Sequence, residues 1–109
     1  MKVEKPWGYE IRWAINNKYL GKILYINPGQ RLSLQYHEVK DESIYVLEGV
    51  LIVNGKDNVT ILEEGESMRI QPGTIHRFCA PPSHHVKLIE VSTPEIDDVI
   101  RLEDDYDRS

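Results

Sequence analysis

Short runs rich in β-branched and aromatic residues recur from Tyr9 to Ser92, each closed by turn-forming residues. No stretch repeats apolar positions at the spacing of an amphipathic helix. The pattern predicts an all-β chain with strands over 9–13, 19–26, 31–37, 43–47, 51–53, 58–62, 67–70, 77–79 and 85–91. Asn27-Pro28-Gly29-Gln30 reads as a turn, because Pro28 fixes one φ and Gly29 frees the next. Asn54-Gly55 is a hairpin signal, and Pro72-Gly73 and Pro81-Pro82 are further stops. Many short strands with regular turns imply a sandwich or closed barrel, the architectures that best protect sheet edges. Residues 94–109 depart from the pattern: they are acidic, with Glu103-Asp104-Asp105, and carry only Val99-Ile100 and Leu102 as an apolar stretch. They read as a tail, strapped over the barrel or frayed, and not as a second domain.

A chain of 109 residues leaves room for one folding unit, expected to span 1–109. With 40% hydrophobic and 28% charged residues it has the balance of a globular domain and not of a disordered chain. The net charge of −5, without a Lys/Arg cluster, argues against nucleic acid as a partner. No apolar run nears the roughly 20 residues of a membrane helix, and the start MKVEKPWGYE has no apolar signal core, so a cytoplasmic address is expected. Cys79 is the single cysteine, which excludes an internal disulfide and fits a small buried residue in a reducing compartment.

The candidate chemistry begins at Gln35 and His37, two residues apart in a predicted strand. Their side chains share one face, about 7 Å apart along the strand, while Leu32, Leu34 and Tyr36 take the other. Glu42 lies at an odd separation from His37, so residues 38–41 must turn; Glu42 then opens the next strand, beside the one carrying Gln35 and His37. His76 follows the Pro72-Gly73 turn and should stand at the mouth of a strand.

Together these residues resemble the cupin superfamily, whose first motif spaces a Gly, His-x-His, a Glu and a Gly. Here Gly29, Gln35-Tyr36-His37, Glu42 and Gly49 keep that spacing, and Gly65, Pro72, Gly73 and His76 resemble the second motif. Pro72 stands directly before the glycine instead of two before it, and Ala80 replaces a frequent Asn; neither change removes a ligand. Gln35 in place of the first histidine points to a subfamily. The stretch 28–37 looks like the matching segment of type II phosphomannose isomerases, in which a Gln, two His and a Glu bind the metal. Lys5-Pro6-Trp7-Gly8, His76-Arg77 and residues 97–106 are similar to further segments of the same enzymes, in their C-terminal cupin part. The residues flanking Glu42, Val39-Lys40-Asp41 and Ser43, depart from their pattern, as does Asp107.

The resemblance implies a double-stranded β-helix holding one divalent ion through Gln35, His37, Glu42 and His76. A mixed N/O donor set with open positions favours zinc and also suits manganese, iron, cobalt or nickel. It implies a sugar phosphate as substrate and metal-assisted proton transfer between adjacent sugar carbons. Lys22 and Arg31 are the candidate phosphate contacts, Arg31 lying on the ligand face of its strand. Arg77 should point away from the ion. Glu90, flanked by Ile89 and Val91, is either a proton-transfer carboxylate or, as its neighbours favour, a barrel-surface residue. A homodimer is expected, with the segment around Trp7 and Trp13 supplying surface. Two other functions stay open: an iron or manganese oxygenase, and a sugar-binding or regulatory module without catalysis.

Overall fold

The β-branched and aromatic runs pair as antiparallel strands in the computed structural model, which describes residues 1–108. Ser109, the last residue of the predicted tail, lies outside the described residues. In chain order the strands are β1 (Lys2–Lys5), β2 (Gly8–Ile15), β3 (Leu20–Ile26), β4 (Leu34–Tyr36), β5 (Glu42–Glu48), β6 (Leu51–Gly55), β7 (Val59–Leu62), β8 (Ser67–Ile70), β9 (His76–Cys79), β10 (Val86–Ser92) and β11 (Ile100–Glu103). No helix forms among the described residues. A six-stranded sheet, ordered β1-β2-β3-β10-β5-β8, faces a five-stranded one, ordered β11-β4-β9-β6-β7.

Strand alternation then decides what the barrel encloses. Leu20, Lys22, Leu24 and Ile26 of β3, Val86, Leu88, Glu90 and Ser92 of β10, and Glu42, Ile44 and Val46 of β5 are all buried. The ladder aligns them in rows. Arg12 pairs with Lys22, Lys22 with Glu90 and Glu90 with Ile44; one step along, Glu10 pairs with Leu24, Leu24 with Leu88 and Leu88 with Val46. Leu51, Val53, Leu62 and Phe78 of the facing sheet join the apolar cluster with Leu24, Ile26, Val46 and Leu88. One end of the interior is thus hydrocarbon and the other is charged.

Several boundaries differ from the sequence reading, each for a local reason. The expected strand over 31–37 is interrupted: Arg31 bridges Cys79, whereas Gln35 pairs with His76, a one-residue offset. Alternation does not carry through such a break. Leu32 enters the core, and the Arg31 guanidinium turns to Asp105, at 2.6 and 3.0 Å, in place of the ligand face. β5 does not lie beside β4; it belongs to the opposite sheet, so Glu42 meets His37 across the barrel. The hairpin reversal falls past Asn54-Gly55, closed by Gly55 N–H donating to Asn58 O at 2.7 Å. The tail is strapped down: β11 pairs with β4 and extends the five-stranded sheet.

β1, which the sequence does not announce, pairs with β2. The chain then turns through Pro6 and Trp7 into Gly8, where a Cβ would stand 1.9 Å from Tyr25 O, too close for any side chain. Trp7 is 3% exposed and part of the core, so it cannot supply the dimer surface expected of it; Trp13, 54% exposed, still can.

Candidate functional site

Gln35 and His76 are ladder partners, so their side chains leave the five-stranded sheet on the same face, and His37 follows two residues after Gln35. Glu42, first residue of β5, comes from the opposite wall. The structure brings the two imidazoles and the carboxylate together: His37 Nε2 lies 3.0 Å from Glu42 Oε1 and His76 Nε2 lies 3.4 Å from the same atom. One potential ligand atom from each of the three falls within 4.8 Å of the others, a cluster that could hold a metal ion.

The second ring nitrogens are tied to the backbone. His76 Nδ1 meets Thr74 O at 2.8 Å, and His37 Nδ1 meets Asp98 O. Each Nδ1 can thus keep a proton donated to a carbonyl, so Nε2, which in His37 shares a proton with Glu42 when no ion is bound, is the nitrogen left to coordinate one. Glu42 Oε2 and His76 Nε2 are buried without a hydrogen-bond partner. Buried polar atoms without partners are costly, and a bound cation would satisfy both. Gln35 Oε1 accepts from Ser33 Oγ at 2.7 Å, and a carbonyl oxygen keeps a second lone pair.

A cavity of about 410 Å³ adjoins this cluster, with Gln35 and His37 in its lining. Its walls carry the charged row of the six-stranded sheet. Glu90 is 5% exposed and accepts from Lys40 Nζ at 2.9 Å; it is an interior residue, which overturns the surface role that Ile89 and Val91 favoured. Glu10 gathers Arg12 at 2.8 Å, Lys22 at 3.3 Å and Lys5 at 3.7 Å, three cations around one carboxylate. Of the two candidate phosphate contacts the structure brings Lys22 to the cavity and Arg31 elsewhere. Arg77 points away, donating from Nε to Leu32 O at 2.8 Å.

The electrostatics of the two acids diverge. Burial would raise the Glu42 carboxyl, but the hydrogen bond from His37, the His76 ring beside it and the charge on Lys40 hold it well below the usual range. Burial raises Glu90, and the neighbouring charge on Glu42 adds to this, bringing it to about 7 despite Lys40. Burial would lower His37, yet the hydrogen bond and charge of Glu42 leave it raised. Burial would also lower Lys40, and the charges of Glu90 and Glu42 outweigh it. One acid is fixed as an anion while the other can carry a proton near neutrality.

Sequence reasoning missed Lys5, Arg12, Lys40 and Asp98. The parity of Arg12 with Glu10, on the strand that pairs with Lys22, was the one available signal; the others depend on turns and on the tail.

Comparison with known proteins follows the same lines. The family described as mannose-6-phosphate isomerase C-terminal matches residues 1–104. The chain is 34% identical over 111 residues to the xanthan biosynthesis protein XanB of Xanthomonas campestris pv. campestris (strain B100), covering 99% of this chain and 24% of that protein. It is 36% identical over 110 residues to the mannose-1-phosphate guanylyltransferase ManC of Salmonella typhimurium, covering 98% and 23%. The chain therefore spans about a quarter of the length of these relatives. A solved cupin-superfamily sugar phosphate isomerase from Silicibacter pomeroyi superposes with a TM-score of 0.71 at 21% identity, over 78% of this chain and 58% of that one. At that identity the likeness shows the fold, a cupin double-stranded β-helix.

Proposed function

The chain belongs to the mannose-6-phosphate isomerase C-terminal family, and from that premise we propose that it is a metal-dependent aldose–ketose isomerase acting on a hexose phosphate. Mannose 6-phosphate and fructose 6-phosphate are the first pair to test. The observation that carries the reading is the buried His37–Glu42–His76 cluster, with its two unpartnered ligand atoms, beside a charged cavity that His37 helps to line.

In this reading Gln35, His37, Glu42 and His76 hold one divalent ion, zinc foremost among the metals an N/O set accepts. When bound, the ion supplies Lewis acidity toward a sugar carbonyl. Glu90 accepts a proton from the carbon bearing the hydroxyl and returns it to the adjacent carbonyl carbon, while the hydroxyl proton passes between the two oxygens. Its burial in the cavity wall and its capacity to hold a proton near neutral pH suit that exchange. Lys40 keeps Glu90 oriented through its 2.9 Å contact. Lys22, Lys5 and Arg12 exceed the charge of Glu10 and form the anion subsite, so the phosphate binds at the wall of the cavity that carries them.

The test incubates metal-loaded protein with a panel of aldose and ketose phosphates in deuterated water. Isomer formation with deuterium at the carbon next to the carbonyl is expected, and a Glu42→Ala variant should show neither. No isomer and no exchange above that variant, with metal occupancy confirmed, would contradict the assignment and leave a sugar-binding module as the better account.

A further inference from the structure

His37 leaves the five-stranded sheet and Glu42 opens β5 in the six-stranded one, so only residues 38–41 separate two candidate ligands on opposite walls of the barrel. A short crossing without ladder bonds samples many conformations, few of which bring His37 Nε2 to the 3.0 Å seen from Glu42 Oε1. Something must hold it.

Three consecutive backbone amides of the crossing donate to one carboxylate. Glu38 N–H reaches Asp98 Oδ1 at 3.1 Å, and Val39 and Lys40 N–H reach Asp98 Oδ2 at 2.8 Å each. The same residue's backbone carbonyl accepts from His37 Nδ1. The placement follows from register: Ile100 pairs with Tyr36, and antiparallel pairing continued two residues puts Asp98 opposite Glu38. The far end of the crossing is fixed separately, by Asp41 N–H to Thr93 Oγ1 at 3.0 Å and Thr93 N–H to Asp41 O at 3.0 Å. One residue of the tail therefore fixes both the backbone between the two ligands and the ring of the first.

We propose that Asp98 is a positioning residue for the metal centre: its carboxylate sets the crossing from His37 to Glu42 and its carbonyl sets the His37 ring, so that both present ligand atoms to one ion. The proposal rests on His37, Glu42 and His76 being the ligands. It assigns the tail a part in building the site that its acidic, weakly apolar sequence gives no hint of.

Cobalt(II) titration of the full chain, followed by visible absorption, tests this alongside thermal unfolding of the metal-free protein. Asp98→Ala keeps the backbone carbonyl that meets His37 Nδ1 but frees the crossing; it should bind about tenfold to a hundredfold more weakly, the range for losing a group that orients a ligand, and its saturated spectrum should shift as Glu42 moves relative to His37. Asp98→Asn should fall between, since the amide oxygen still accepts from part of the crossing; it decides the matter if the alanine variant does not fold. Asp105→Ala removes the tail's ion pair with Arg31 but touches neither His37 nor the crossing, and should keep the unmodified affinity and spectrum. An Asp98 variant with unmodified affinity and spectrum overturns the proposal. So does an Asp105→Ala variant weakened by as much as Asp98→Ala, which would reduce Asp98 to a tail anchor. A His37→Ala/His76→Ala variant separates the two failures: if it and the unmodified chain alike take up no stoichiometric cobalt, the metal reading itself falls.

Discussion

At one end of β3 and β10, Leu24, Ile26, Val86 and Leu88 meet Val46, Leu51 and Phe78, each at most 3% exposed. At the other end of the same strands, Lys22 and Glu90 share a row with Arg12 and stand beside Lys40 and Glu42. The β3–β10 ladder runs in one register from end to end, so along these two strands the contrast comes from the side chains. The hydrocarbon end can supply burial free energy, at about 25 cal/mol per Å² of apolar surface. The charged end must instead satisfy each buried ion, and does so with pairs that leave Glu42 Oε2 and His76 Nε2 over. Stability and chemistry are thus divided along single strands, a division that substitutions at neighbouring inward positions can test.

The largest expected effect pairs Glu90 with Leu88, two residues apart and both inward on β10. Glu90→Gln keeps an oxygen for Lys40 and should keep the fold and the bound ion while isomerisation falls by about 10²- to 10⁴-fold, the usual share of a general acid–base group. Leu88→Ala should do the reverse, losing about 3 kcal/mol in urea unfolding while the folded fraction keeps its metal affinity. If Glu90→Gln destabilised as much as Leu88→Ala with activity per folded molecule intact, the division would be wrong.

A smaller effect concerns the strap that carries Asp98. Hydrogen bonds from the Arg108 side chain and backbone pull the Asp104 carboxyl down to about 2, against burial. Because its folded value lies below its unfolded one, the stabilisation is complete above about pH 4 and fades as pH falls toward about 2. Asp104→Asn should therefore be less stable than the unmodified chain at pH 5, by a margin that shrinks on acidification; amide exchange on β11 reads it. A margin that grew with falling pH would have the wrong sign.

The charged end was only partly legible in the sequence, and the reasons are physical. Gln35, His37, Glu42 and His76 are marked by motif spacing and by strand parity, both local properties. Glu90 was misplaced because β10 is apolar on both faces, Val86 and Leu88 inside and Ile89 and Val91 outside, so alternation could not say which parity was buried. Arg31 was misplaced because the irregularity between Arg31 and Leu34 breaks the two-residue period. β1 and β11 are four residues each, KVEK and IRLE, too short for their alternation to announce a strand apart from the partner they pair with. The hydrocarbon end was easier: Leu24, Ile26, Val46 and Leu88 sit in runs that could only be strands.

The central claim is that one ion sits among Gln35, His37, Glu42 and His76. Anomalous diffraction from crystals of the metal-loaded protein, collected on either side of the metal's absorption edge, tests it most directly. The account predicts a single peak at about 2.0–2.2 Å from both Nε2 atoms and a Glu42 oxygen, with Gln35 Oε1 as the fourth protein ligand. A peak at another place, or none at that cluster in crystals shown by elemental analysis to contain metal, would contradict it.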